Sequence, residues 1–166
     1  MACMLPIQRR APPAGRRRAG RKPRRSRVSR RTFEVRPIGQ VESPLQDLAS
    51  APKQGDEGAP DGWLVLDPGV LDGLEGIRPG DDVLVLTWLD RASRDVLRVH
   101  PRGDTSRAEQ GVFATRSPDR PNPIGLHRVE IVSIDGHRLL VRNLEAVDGT
   151  PVVDVKPVLS GDVDER

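Results

Sequence analysis

The chain has 166 residues, enough for one domain and an appendage, and with 2 Trp, 2 Phe and no Tyr its core must be aliphatic. The lone cysteine, Cys3, excludes a disulfide framework and a thiolate zinc cluster, and no apolar run approaches the roughly 20 residues of a membrane helix. These features predict a cytoplasmic protein with neither metal nor membrane partner. A formal net charge of +3 hides a division, because residues 1–31 hold 12 Lys and Arg and no acid, which leaves 15 basic against 24 acidic side chains in the rest.

Residues 1–31, rich in Arg, Pro, Ala and Gly, cannot bury enough apolar surface to offset their ordering entropy and are expected to form a disordered leader. Such a leader is either an arm that releases counterions on RNA, or a solvated tail, a transit-like leader or an over-long start. Residues 33–41 (FEVRPIGQV) alternate apolar and polar and predict an opening strand, with Pro37 placing it at an edge or bulge. A loop over 45–61 precedes a short strand at 63–66, a single helical turn at 68–74 and the turn RPGD at 78–81. The run VLVLTWL over 83–89 is expected to be buried on both faces or nearly so, and is the best core candidate.

Further strands are expected at 95–99 and 112–115, with a loop at 101–109 between them. Strands at 126–134 and 138–142 flank Asp135-Gly136, which fits a hairpin with a type I′ turn; Asp148-Gly149 marks another turn, and 152–158 closes the set. About eight short strands with little helix predict an all-β fold, a compact and mostly antiparallel barrel or sandwich.

The stretch GVFATRSPDRPNPIG over 111–125 carries the densest chemistry. Pro118, Pro121 and Pro123 fix their own φ and push Ser117, Arg120 and Asn122 towards extended backbone, so little ordering entropy remains when a ligand arrives. Arg116 and Arg120 offer planar forks to a carboxylate or phosphate, and Asn122 both donates and accepts. The same composition also suits a rigid connector between strands. Residues 91–128 hold eight arginines against four acids, so positive charge surrounds this loop in sequence.

Other chemistry is excluded by missing patterns: no G-x-G-x-x-G after a strand, no P-loop, no G-x-S-x-G and no H-E-x-x-H. His100, His127 and His137 lack metal-ligand spacing and read as solvated or hydrogen-bonded side chains.

Read together, the 111–125 motif and LEAVDGTPVVDVKP over 144–157 resemble the TsaA-like family, the TrmO-type tRNA N6-methyltransferases. RPIGQVESP at 36–44 resembles that family's opening strand and turn, and APKQ at 51–54 its next ligand loop. The resemblance covers roughly residues 33–160, so the organisation expected is a leader at 1–31 and a methyltransferase barrel at 32–166. It implies an all-β homodimer that binds S-adenosylmethionine near the subunit interface and methylates N6 of threonylcarbamoyladenosine beside the anticodon of a tRNA. A relative acting on another RNA or a small molecule, and a non-catalytic RNA-binding or cofactor-sensing module, are the competing readings.

Carried over by position, the cofactor contacts fall at Pro52, Lys53, Gln54, Asp90, Arg91, Arg116, Leu126, Glu145, Ala146, Val147 and Asp148. The chain departs from the pattern at Asp90, where relatives often carry histidine; a carboxylate accepts from a ribose hydroxyl but cannot donate as an imidazole can. Asp148 and Asp154 are the candidates for a general base that takes the proton shed by the exocyclic nitrogen, although Asp148 also suits a pure turn role and Asp154 a pair with Lys156. Arg94, Arg98, Arg102, Arg107, Arg120 and Asn122 are the candidates for tRNA contacts.

Overall fold

The computed structural model describes residues 32–159, so the expected leader and Cys3 lie outside the described residues. Among the described residues eight strands form: β1 (Gly39–Glu42), β2 (Gly62–Leu66), β3 (Asp82–Trp88), β4 (Arg98–Val99), β5 (Gln110–Gly111), β6 (Ile124–Asp135), β7 (Arg138–Val141) and β8 (Pro151–Pro157). Six of them close into a barrel in the order β1-β2-β7-β6-β3-β8, while β4 and β5 form a separate two-stranded ribbon. Every pairing is antiparallel. Closure follows from β1, which pairs with both β2 and β8 and so leaves no free edge in the ring. Pro37, which has no N–H to give a ladder, lies just before β1.

The 12-residue β6 is long enough to serve two neighbours, β3 through its first half and β7 through its second. Strict alternation along it sends Gly125, His127 and Val129 inward and Ile124, Leu126 and Arg128 outward. The core is aliphatic, built from residues such as Val41, Leu64, Val85, Ile131, Leu139 and Val152.

Residues 83–89 are buried on one face only: Val83, Val85 and Thr87 enter the core, whereas Leu84, Leu86 and Trp88 are half-buried on the outer face. Register sets Leu86 beside Leu126 and Trp88 beside Ile124, so an apolar strip runs along the outside of β3 and β6. The helical turn expected at 68–74 forms as a 3₁₀ helix over Pro68–Leu74.

Three local expectations differ in the structure, two of them because side-chain hydrogen bonds intervene. Residues 112–115 make a 3₁₀ turn, Val112–Ala114, because the Thr115 amide and hydroxyl both donate to the Val112 carbonyl, at 3.1 and 3.0 Å. The strand at 95–99 shrinks to Arg98–Val99, since the Ser93 hydroxyl donates to Asp95 at 2.7 Å and holds a bend there. Only Gly136 takes a positive φ, +57°, in the β6–β7 turn, so it is not the doubly left-handed type I′; the His137 carbonyl instead accepts from the Leu66 amide at 2.9 Å.

Candidate functional site

Two loops distant in sequence press together beside the barrel. A Cβ on Gly55 would lie 2.5 Å from the Asn143 carbonyl oxygen and 3.4 Å from Glu145 Oε2, so only glycine lets the 51–58 loop approach the 142–150 corner. The Leu144 amide donates to the Pro60 carbonyl at 2.9 Å and ties the two loops. Pro52 is half-buried, and Lys53 and Gln54 are exposed beside this junction. The Lys53 ammonium donates to the Arg102 carbonyl, and the Arg102 guanidinium pairs with Glu57. That hydrogen bond from Arg102 holds the Glu57 carboxyl below the ordinary glutamate value.

The corner itself is fixed by Asp148, whose Oδ1 accepts from the Ser43 amide at 3.0 Å while Gly149 takes φ +76°. Arg91 reaches across from the turn after β3 and donates to the Asp148 carbonyl at 3.4 Å; Asp90 beside it is exposed. Ala146 and Val147 are buried, which leaves a ligand their main-chain groups only. A surface cavity of about 640 Å³ lies against β1 and β2 and includes Asp148 alone of the expected cofactor positions.

Inside the barrel the Thr87 hydroxyl lies 2.9 Å from His127 Nε2, and His127 Nδ1 lies 2.8 Å from Glu145 Oε1. His127 is 6% exposed, and the Glu145 side chain 19%. Nδ1 has the distance of a hydrogen bond to the carboxylate but not its direction, and finds no hydrogen-bond partner among the described residues. Leu126, the next residue along β6, is 44% exposed and faces the opposite way.

The proline loop is braced from within. Arg120 donates to the carbonyls of Ser117 at 2.7 Å, Thr115 at 2.6 Å and Val112 at 3.3 Å, so its guanidinium serves as the scaffold of the loop. The Arg120 amide donates to the Ser93 carbonyl at 3.0 Å and Asp119 accepts from the Ser93 amide at 2.8 Å, which docks the loop on the turn that carries Arg91. Arg116 is exposed and makes no ion pair among the described residues; Asp119 and Asp148, its conceivable partners, are held by the Ser93 and Ser43 amides.

The other expected nucleic-acid contacts are mostly engaged locally. Arg98 pairs with Glu109 and Arg107 with Asp104, each at 3.1 Å, and Arg94 stacks over Trp88 at 5.5 Å from the ring centre. Asn122 is exposed, with its carbonyl accepting from the Ile124 amide at 2.8 Å. Asp154 pairs with Lys156 at 2.7 Å on the outer face of β8. Among the described residues no cluster of His, Cys, Asp and Glu could hold a metal, and no helix is long and apolar enough to cross a membrane.

The family model of the tRNA-methyltransferase O N-terminal domain matches residues 40–164, from β1 through β8. The chain belongs to that family. An S-adenosyl-L-methionine-binding protein of Archaeoglobus fulgidus is 48% identical over 122 residues, which cover 74% of this chain and 86% of the relative. A TrmO crystal structure from Pseudomonas aeruginosa superposes with a TM-score of 0.63 at 32% identity, covering 78% of this chain and 57% of that one. A second TrmO structure gives a TM-score of 0.62 at 33% identity and covers 56% of its chain. This chain therefore spans little more than half the length of the TrmO chains it matches.

Of the expected cofactor positions, the barrel brings the loop of Pro52, Lys53 and Gln54 against the Glu145 corner at the adjoining Gly55, and Arg91 to Asp148, while Arg116 makes no ion pair among the described residues on a loop docked to the same turn as Arg91. His127 is hydrogen-bonded, as one of its two expected readings had it; its partner Thr87 and its position beside Glu145 were not read from the sequence. One signal was available: His127 occupies an inward position of an alternating strand, where an imidazole must find polar partners.

Proposed function

We propose that the chain binds S-adenosyl-L-methionine and, as a homodimer in the cytoplasm, transfers a methyl group to N6 of threonylcarbamoyladenosine beside the anticodon of tRNA. The observation that carries the reading is two charges left over among the described residues: a half-buried Glu145 carboxylate, at the junction of the 51–58 and 142–150 loops, that no guanidinium or ammonium pairs with, and an exposed Arg116, on the proline loop docked to the turn of Arg91, that no carboxylate pairs with. That pair matches the ammonium and carboxylate of the cofactor's amino-acid end. When bound, the sulfonium supplies an activated methyl group for in-line transfer. The protein's part is to orient the two reactants and exclude water, which requires no nucleophilic side chain.

Asp148 is the better of the two candidate bases. Its Oδ1 is engaged by the Ser43 amide and Oδ2 is free among the described residues, whereas Asp154 has Oδ1 on the Val155 amide and Oδ2 on Lys156. Dimerisation is supported by the outer strip of Leu86, Trp88, Ile124 and Leu126, the last two 46% and 44% exposed. Leu126 faces away from Glu145 within one chain, so a pocket containing both is completed by a second copy.

Mass analysis of nucleosides from tRNA incubated with protein and S-adenosylmethionine tests the activity. N6-methylated threonylcarbamoyladenosine is expected from the wild type, and Arg116→Ala should lower kcat/KM by about tenfold or more. No methylated product with cofactor binding intact would refute the acceptor. A second reading, the same barrel acting on a smaller acceptor, is favoured by the local pairing of Arg98, Arg102 and Arg107. A metabolite pool replacing tRNA in the same assay separates the two.

A further inference from the structure

A chain of polar side chains runs from the barrel interior to the candidate site. Thr87 is fully buried and His127 nearly so, yet both positions face an aliphatic core in which Val85 and Val129 are their neighbours. Burying a hydroxyl and an imidazole there costs stability unless each is partnered. Space is cleared for them as well: a Cβ on Gly125 would sit 2.3 Å from Thr87 Oγ1 and 2.8 Å from His127 Nε2.

The arrangement is directional. A threonine hydroxyl donates or accepts, so Thr87 satisfies Nε2 in either tautomer and anchors that edge of the ring. Nδ1 is thereby presented to Glu145 Oε1 at 2.8 Å, and Oε2 is left towards Gly55 and the Gln54 loop. Nδ1 meets the carboxylate at hydrogen-bond distance but off-line, so a reorientation of Glu145 that completed the bond would also re-aim Oε2.

We propose that Thr87 and His127 are positioning residues that orient the Glu145 carboxylate to accept the ammonium of the cofactor, an assignment that rests on the S-adenosylmethionine reading above. A carboxylate held from behind loses less rotamer freedom when the ligand arrives, so the buried pair converts core stability into affinity. A core filler would need neither polar atom.

The test separates the two edges of the ring. His127→Asn keeps a donor near the Nδ1 position, His127→Gln keeps a polar group near the Nε2 position, and His127→Leu keeps neither. Calorimetric affinity for S-adenosylmethionine and the melting temperature are measured on the same preparations. Affinity within about threefold of wild type is expected for the Asn variant and a loss of about tenfold for the Gln and Leu variants, whatever their melting temperatures. On a Glu145→Gln background, adding His127→Gln should change affinity by less than about twofold, since the partner is already lost. Thr87→Val, which preserves shape, should weaken binding by about threefold and serves if the His127 variants do not fold. In the ligand-free protein, the ¹⁵N shift of His127 Nδ1 should move in Glu145→Gln.

Affinity that falls equally in the Asn and Gln variants, in step with melting temperature, would make His127 a packing residue and overturn the proposal. A wild type that binds no S-adenosylmethionine, while the Nδ1 shift still reports the Glu145 contact, would instead bring down the cofactor reading and the ligand role with it.

Discussion

The barrel interior and the arginine-rich segment 91–120 use polar residues in opposite ways. In the interior, Thr87 and His127 are few and buried, with Nε2 on the Thr87 hydroxyl, Nδ1 within 2.8 Å of Glu145 and a glycine clearing the space around them. In the outer segment cations are plentiful, but Arg98 and Arg107 are answered by nearby acids, Arg102 by Glu57, and Arg120 by three carbonyls. Charge counted along a chain is therefore not charge offered to a ligand: of the cations expected to meet a ligand, Arg116 alone combines exposure with the lack of a hydrogen bond, ion pair or ring contact among the described residues.

The comparison breaks hardest at the barrel glycines. Gly39→Ala places a Cβ 2.3 Å from the Val65 carbonyl oxygen, a backbone atom that cannot step aside, and Gly125→Ala places one against Thr87 and His127. Each should destabilise by about 1–3 kcal/mol in denaturant melts, with Gly39→Ala the worse of the two. An unchanged melt for either would mean that the barrel wall is slacker than its register implies.

Arg120→Ala should come next, with a loss of about 1–3 kcal/mol, because three carbonyls lose a charged donor and the proline loop loses its brace. Arg98→Ala and Arg107→Ala remove exposed ion pairs and should shift stability by no more than about 0.5 kcal/mol. If Arg120→Ala proved as mild as these two, its assignment as a scaffold would be lost.

The smallest expected effect is one of pH at the clasp between the 51–58 and 101–103 turns. Arg102 lowers the Glu57 carboxyl, so the folded form binds its proton less readily than the unfolded chain does. The clasp is therefore fully present above the ordinary glutamate value and is lost as pH falls through the lowered one. A titration following the Glu57 carboxyl by NMR should show this midpoint move up in Arg102→Ala.

Much of the fold was legible in residue order alone. The short apolar run at 63–66 and the segments flanking Asp135-Gly136 marked barrel strands, Pro68 started a helical turn, and Asp148-Gly149 marked a corner. The failures at 95–99 and 112–115 share one cause: Ser93, Asp95 and Thr115 bond to groups two or three residues away, and such short-range bonds compete with a ladder that sequence pattern presumes. At the site, the long motifs flagged Arg116, Glu145 and Asp148, because a motif reports which residue types occur together.

Residue order determined the all-β class, the aliphatic character of the core and the segments carrying the chemistry, since alternation, breakers and composition act locally and need no knowledge of neighbours. Which polar groups would be spent and which left free was decided only by tertiary structure. Arg120 and Arg116 lie four positions apart in one loop, yet folding turns one guanidinium onto backbone carbonyls and the other to solvent. Thr87, His127 and Glu145 are separated by 40 and 18 positions and meet only in the fold, where the register of β3 on β6 sets Thr87 beside His127 and the corner between β7 and β8 brings in Glu145.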